Sequence, residues 1–249
     1  MTPPRHVGIV ACSAEGAALC YRTFCTEAPA RLGTTHAHPE VSLHGLSLAD
    51  QMARIHADDW AGLGELMLVS AGKLAAIGAQ VLICPDNTLH QALALVRDRS
   101  PLPWLHIAEA VAAEARVRGF RRVGLLGTRW LVESRVYPDA LEAVGIDWVR
   151  PGAEARAAMN RAIMDELVCG VAGPAHTALF ARIAAELKAQ SCDAVVMGCT
   201  EIPLVLCDAT SPLPTLDSTR ILARAALDWS LSGAHPTAPG VAAHGPALS

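Results

Sequence analysis

The chain has 249 residues, 52% of them hydrophobic and 18% charged, and a formal net charge of -4 at pH 7. This composition fills a sizeable core and excludes disorder, and the mildly acidic balance excludes a general nucleic-acid binder, which needs a basic face against phosphate. No apolar run approaches the roughly 18–20 residues of a membrane span. The opening MTPPRHVGIVAC runs straight into a strand-like segment with no separate apolar signal region, so a cytoplasmic protein with no membrane or nucleic-acid partner is expected.

Taken in chain order, strands are predicted at His6–Cys12, Val41–Leu46, Val81–Cys84, Arg122–Gly127, Ile146–Val149 and Ala194–Met197. Each is a short β-branched or aliphatic run bounded by turn-prone residues. Ala-rich helices are predicted among them, as at Leu63–Ile77 and Thr177–Gln190. Alternating strand and helix imply a mainly parallel α/β sheet. His36 and His38 fall in a loop and read as solvated, with no metal expected. The eight cysteines include no C-x-x-C pair, so reduced thiols are expected and a zinc site is not. The last residues, rich in Pro and small side chains, read as a mobile tail.

The two halves repeat. VGIVACSAE from Val7 matches VGLLGTRWL from Val123, at an offset of 116. The segment ending at Thr88 matches the one ending at Glu201 without a gap, at 113, with identical pairs such as Leu74/Leu187. PLPWLH from Pro101 matches PLPTLD from Pro212, at 111. Three matches in order at nearly constant offset indicate two similar units. The expected fold is α/β: two pseudo-symmetric Rossmann-like (flavodoxin-like) lobes with parallel sheets. Lobe one is expected to hold residues 1–107 and 216–231, lobe two 108–215, and the tail 232–249.

Ligands of open α/β sheets bind beyond the carboxyl ends of the strands. The second match sets Asp86 against Cys199, each just after a strand. A carboxylate and a thiol are therefore expected to face each other across a cleft between the lobes. Asn87, Thr88, Thr200 and Glu201 follow them directly, and Ser13 and Thr128 stand at two other strand ends. Backbone N–H groups and hydroxyls there suit the stabilisation of negative charge on a bound small carboxylate.

The segments VGIVACSAEG, Asn87–His90, LPWLHIAEA, RRVGLLGTR and MGCTEIPLVL resemble the aspartate/glutamate racemase family over residues 1 to about 231. The resemblance implies a two-lobe homodimer without a cofactor, in which two cysteines remove and return an α-proton on opposite faces of the substrate. Cys199 matches the second cysteine, and Asp86 stands where the first is expected. Cys84, two residues earlier, is a displaced candidate read as structural, and Cys12 is a further residue able to border the cleft. The stretch with Gln51 and Arg54 and the stretch Val168–His176 show no evident clamp for a second carboxylate. Three functions remain: a racemase or epimerase using Asp86 and Cys199, a decarboxylase or other isomerase using Cys199 alone, and a non-catalytic small-acid binder.

Overall fold

A computed structural model describes residues 3–232; of the tail expected to be mobile, all but Ser232 lies outside the described residues. The chain runs β1 (Val7–Ala11), α1 (Ala14–Leu32), β2 (Val41–Gly45), α2 (Leu48–His56), α3 (Trp60–Ala76), β3 (Val81–Ile83), α4 (His90–Val96) and β4 (Trp104–Leu105). It continues with α5 (Ile107–Val117), β5 (Arg122–Leu126), α6 (Arg129–Val132), α7 (Val136–Glu142), β6 (Asp147–Val149), α8 (Ala153–Arg161) and α9 (Pro174–Ala189). The last elements are β7 (Ala194–Met197), β8 (Thr215–Asp217) and α10 (Ser218–Ser232).

Two four-stranded parallel sheets form, in the orders β2-β1-β3-β4 and β6-β5-β7-β8. Their registers carry the sequence repeat into space. Val7 pairs with Val81 in the first sheet and Val123 with Ala194 in the second, while Leu82 pairs with Trp104 and Val195 with Thr215. The two-lobe α/β class read from the sequence is the observed one. Leu216 and Asp217 pair in the second sheet, two residues beyond the expected boundary at 215.

Both faces of each sheet are covered, as continuous aliphatic strands require. Val7, Ile9, Val81 and Ile83 pack with Phe24 of α1 and Leu222 and Ala226 of α10. Val10, Leu82 and Cys84 face the other way, onto Leu63, Met67 and Leu74 of α3 and Leu93 of α4. In the second sheet Val123, Leu125 and Val196 pack on α5 and α7, and Leu126, Val195 and Met197 pack on α8 and α9.

The repeat has a steric reason as well. A Cβ on Gly8 would meet Leu82 at 2.9 Å and Leu74 at 3.2 Å, and one on Gly124 would meet Leu187 at 2.5 Å. These glycines let the matched leucines of α3 and α9 lie against the strands. Gly124→Ala is expected to cost about 1–3 kcal/mol by overpacking, read as a lower urea midpoint at unchanged m-value.

The start of α4 and the turn before α5 bring His90 and His106 together, with ring centroids 4.3 Å apart. Burial lowers the pKa of His90 to about 4 and that of His106 to about 2. His90 Nε2 donates to the Cys84 carbonyl at 3.1 Å. Both imidazoles are held neutral, so their contribution to stability is full above an ordinary 6.5 and is lost as pH falls towards the folded values. His90 alone is expected to account for about 3 kcal/mol of acid destabilisation between pH 6.5 and 4. Unfolding free energy measured across that window should flatten in His90→Gln.

Candidate active site

All eight residues singled out in the sequence line one cavity: Ser13, Asp86, Asn87, Thr88, Thr128, Cys199, Thr200 and Glu201. They come from loops after β1, β3, β5 and β7, so four strand ends meet there from the two sheets. The open space is about 100 Å³, well below the ~300–1,000 Å³ of sites for drug-sized ligands, which suits one small acid.

Two hydroxyl pairs knit the sheets together across this space. Ser13 caps α1 by accepting the Gly16 N–H at 3.2 Å, and its Oγ lies 3.3 Å from Thr200 Oγ1. Thr128 caps α6 by accepting the Leu131 N–H at 3.4 Å, and its Oγ1 lies 3.3 Å from Thr88 Oγ1. Each cap from one sheet thus meets a threonine from the other. The first turn of α1 is pressed close, since a Cβ on Gly16 would sit 2.4 Å from Thr200 Cγ2.

Asn87 is buried and its amide is committed to the same junction. Tyr137 donates its hydroxyl to Asn87 Oδ1 at 2.6 Å, and Asn87 Nδ2 donates to Ser218 Oγ at 3.0 Å. Tyr137→Phe leaves a buried oxygen without its donor. It should cost about 1–3 kcal/mol, seen as a lowered Tm.

Cys199 is partly buried and donates to Glu201 Oε2 at 2.9 Å; Thr200 donates to the same oxygen at 2.8 Å. With its own proton on Glu201, Thr200 accepts from Ser13. Burial pushes the Cys199 thiol well above its ordinary range, and the Glu201 and Asp86 carboxylates add to the rise. Asp86 Oδ1 accepts the Leu89 N–H at 3.1 Å. Burial raises the Asp86 pKa, and so does the charge of Glu201, against the hydrogen bonds from Leu89, Cys12 and Thr88. Desolvation therefore favours the protonated form of both groups.

Of the two other cysteines weighed from the sequence, Cys84 is fully buried, packs on α3 and α4, and does not line the cavity. Cys12 does line it, and burial, then the nearby Asp86 carboxylate, push its thiol well above the ordinary range.

The apolar wall was not identified in the sequence. Leu48, Met52 and Ile55 come from one face of α2, Trp130 from α6, and Ile163, Met164 and Val168 from the turns after α8. Only α2 carried a readable signal, the i, i+4, i+7 spacing of its apolar residues. Among the described residues, no Lys, Arg or His lines the cavity. Arg54 pairs with Asp59, and Gln51 donates to the Leu46 carbonyl at 3.4 Å.

Comparison with known proteins agrees with this architecture. The chain is 25% identical over 166 residues to the broad specificity amino-acid racemase RacX of Bacillus subtilis, covering 65% of this chain and 70% of that one. It is 30% identical over 159 residues to glutamate racemase of Thermus thermophilus, covering 62% of this chain and 56% of that one. Among solved structures, an aspartate racemase homologue from Pyrococcus horikoshii superposes with a TM-score of 0.77 at 25% identity, covering 91% of this chain and 99% of that one. The model of the Asp/Glu/Hydantoin racemase family matches residues 9–226, and the chain belongs to that family.

Proposed function

We propose that the protein is a cofactor-independent racemase or epimerase that removes and returns the proton at the carbon α to a carboxylate. Cys199 serves one face of the substrate, and the group at Asp86 serves the other. The observation that carries this reading is that Asp86 and Cys199, matched in the internal repeat, line one cavity from opposite sheets. An α-proton is a weak acid, so its loss needs a close base and donors for the enediolate. The backbone N–H groups of the loops after β3 and β7, with whichever hydroxyl of the Thr88–Thr128 pair keeps its proton free, are suited to that second task.

The substrate we infer is an amino acid or related acid with an uncharged, mainly apolar side chain. The wall of Met52, Trp130, Ile163 and Met164 offers contact to such a group. A side-chain carboxylate would enter a cavity whose charged residues, among those described, are the acids Asp86 and Glu201, and its desolvation would go uncompensated.

The test is a panel of single enantiomers in deuterated water. Leucine and methionine should exchange their α-hydrogen about 10²-fold or more faster than aspartate and glutamate, the equivalent of about 3 kcal/mol. Preference for the dicarboxylates would reject the substrate class, and no exchange of any acid would reject the reaction. Because the Cys199 thiol is raised, the thiolate fraction and the exchange it drives should climb about tenfold per pH unit from pH 7 to 9.

A further inference from the structure

Eight cysteines are present, yet only Cys12 and Cys199 line the cavity, one from each sheet. Each stands beside a carboxylate that also lines it. In the second sheet the Cys199 thiol donates to Glu201. In the first, β1 and β3 are paired neighbours, so the loops after them bring Cys12 and Asp86 to the same wall of the cavity. The Asp86 carboxylate is fixed there by the Leu89 N–H at 3.1 Å.

We propose that the Cys12 thiol, with Asp86 as its carboxylate partner, exchanges the α-proton on the first-sheet face, opposite the Cys199–Glu201 pair. This deepens the racemase reading and rests on it. Each face then carries a thiol next to a carboxylate. The thiol and carboxylate on the first-sheet face have exchanged places relative to the arrangement that Asp86 alone would suggest, with the thiol at the end of β1 and the acid at the end of β3.

Chemistry favours the thiol for this task. A thiol ordinarily titrates near 8.5 and an aspartate near 3.9, so a carboxylate is a base weaker by roughly 4–5 units towards a carbon acid. The steps balance. The Asp86 carboxylate takes the Cys12 proton, leaving a thiolate. The thiolate takes the substrate α-hydrogen as a proton, and the C–H electron pair moves into the enediolate. Cys199 gives its S–H proton to the opposite face of that carbon and is left as a thiolate. Cys12 and Asp86 then hold two protons between them, and the opposite enantiomer runs every transfer in reverse.

Cys12→Ser separates proton transfer from positioning. A serine hydroxyl can still donate to Asp86 and hold it, but it is far harder to ionise than a thiol. Deuterium incorporation is measured from each enantiomer of an accepted acid with wild type, Cys12→Ser and Asp86→Asn, each with its melting curve. In Cys12→Ser, inversion should be lost and exchange of the enantiomer whose proton Cys12 removes should fall by about 10²–10⁴-fold, while the enantiomer whose proton Cys199 removes still exchanges by return from that thiol once its proton has traded with solvent. Asp86→Asn should slow the same enantiomer as Cys12→Ser. Near-wild-type exchange of both enantiomers in Cys12→Ser would overturn the proposal and leave the racemase reading with Asp86 acting directly. Equal loss for both enantiomers, with or without a lowered Tm, would overturn it too, and so would a lost enantiomer that differs between the two variants. A wild type that exchanges no acid in the panel would reject the racemase reading itself.

Discussion

Cys199→Ala should lose exchange of one enantiomer's α-hydrogen by 10³-fold or more, and with it net racemisation. Of the thiols after β7, Cys199 lines the cavity and Cys207 does not, and nothing beside Cys199 can substitute: Thr200 is bound to Glu201, and Glu201 is a carboxylate. Cys199→Ser should be nearly as damaging, because a hydroxyl ionises far less readily than a thiol. The variant should stay folded. Removing a desolvated, raised-pKa thiol takes away a group that resists ionisation, so stability should hold better above pH 8.5. The sign follows from linkage. A raised folded pKa gives stability that is complete below the unfolded value and is lost as pH rises towards the folded one. Chiral chromatography of the product and urea unfolding at pH 7 and 9.5 test both halves.

Asp86→Asn should lower exchange on the first-sheet face by about 10²–10⁴-fold, the usual range for removing an acid/base group. It should also stabilise the protein. The carboxyl is raised by burial and by the nearby Glu201 charge, so its ionised form at neutral pH works against folding. An amide of the same shape keeps an oxygen for the Leu89 N–H and drops the charge. Tm at pH 7 should rise. A loss of both activity and stability would mean that the carboxylate is fully compensated and structural.

The fold was legible because its repeat is covalent as well as spatial. Offsets of 116, 113 and 111 between the halves reappear as strand registers, and Gly8/Leu74 and Gly124/Leu187 occupy the same contact in each sheet. The strands β4 and β8, two and three residues long, were not read as strands, although PLPWLH and PLPTLD were matched. Runs that short have no periodicity to detect. The polar half of the site was legible because each residue follows a strand end. The rest was not, for a different reason. The apolar wall is assembled from α2, α6 and the turns after α8, far apart in sequence, and apolar residues there look like core. Cys12 and Asp86, 74 apart in sequence, reach one cavity only through the parallel pairing of β1 and β3.

In the proposed reaction two opposed groups exchange one α-proton without a cofactor. Purified protein with no added cofactor is given a single enantiomer of leucine or methionine in deuterated water, and both enantiomers are separated early in the reaction. The expected result is that the newly formed enantiomer carries deuterium at the α-carbon while the remaining starting enantiomer still carries protium, because different groups serve the two faces. Deuterium entering the starting enantiomer as fast as the product, or no exchange for any acid the cavity accepts, would contradict it.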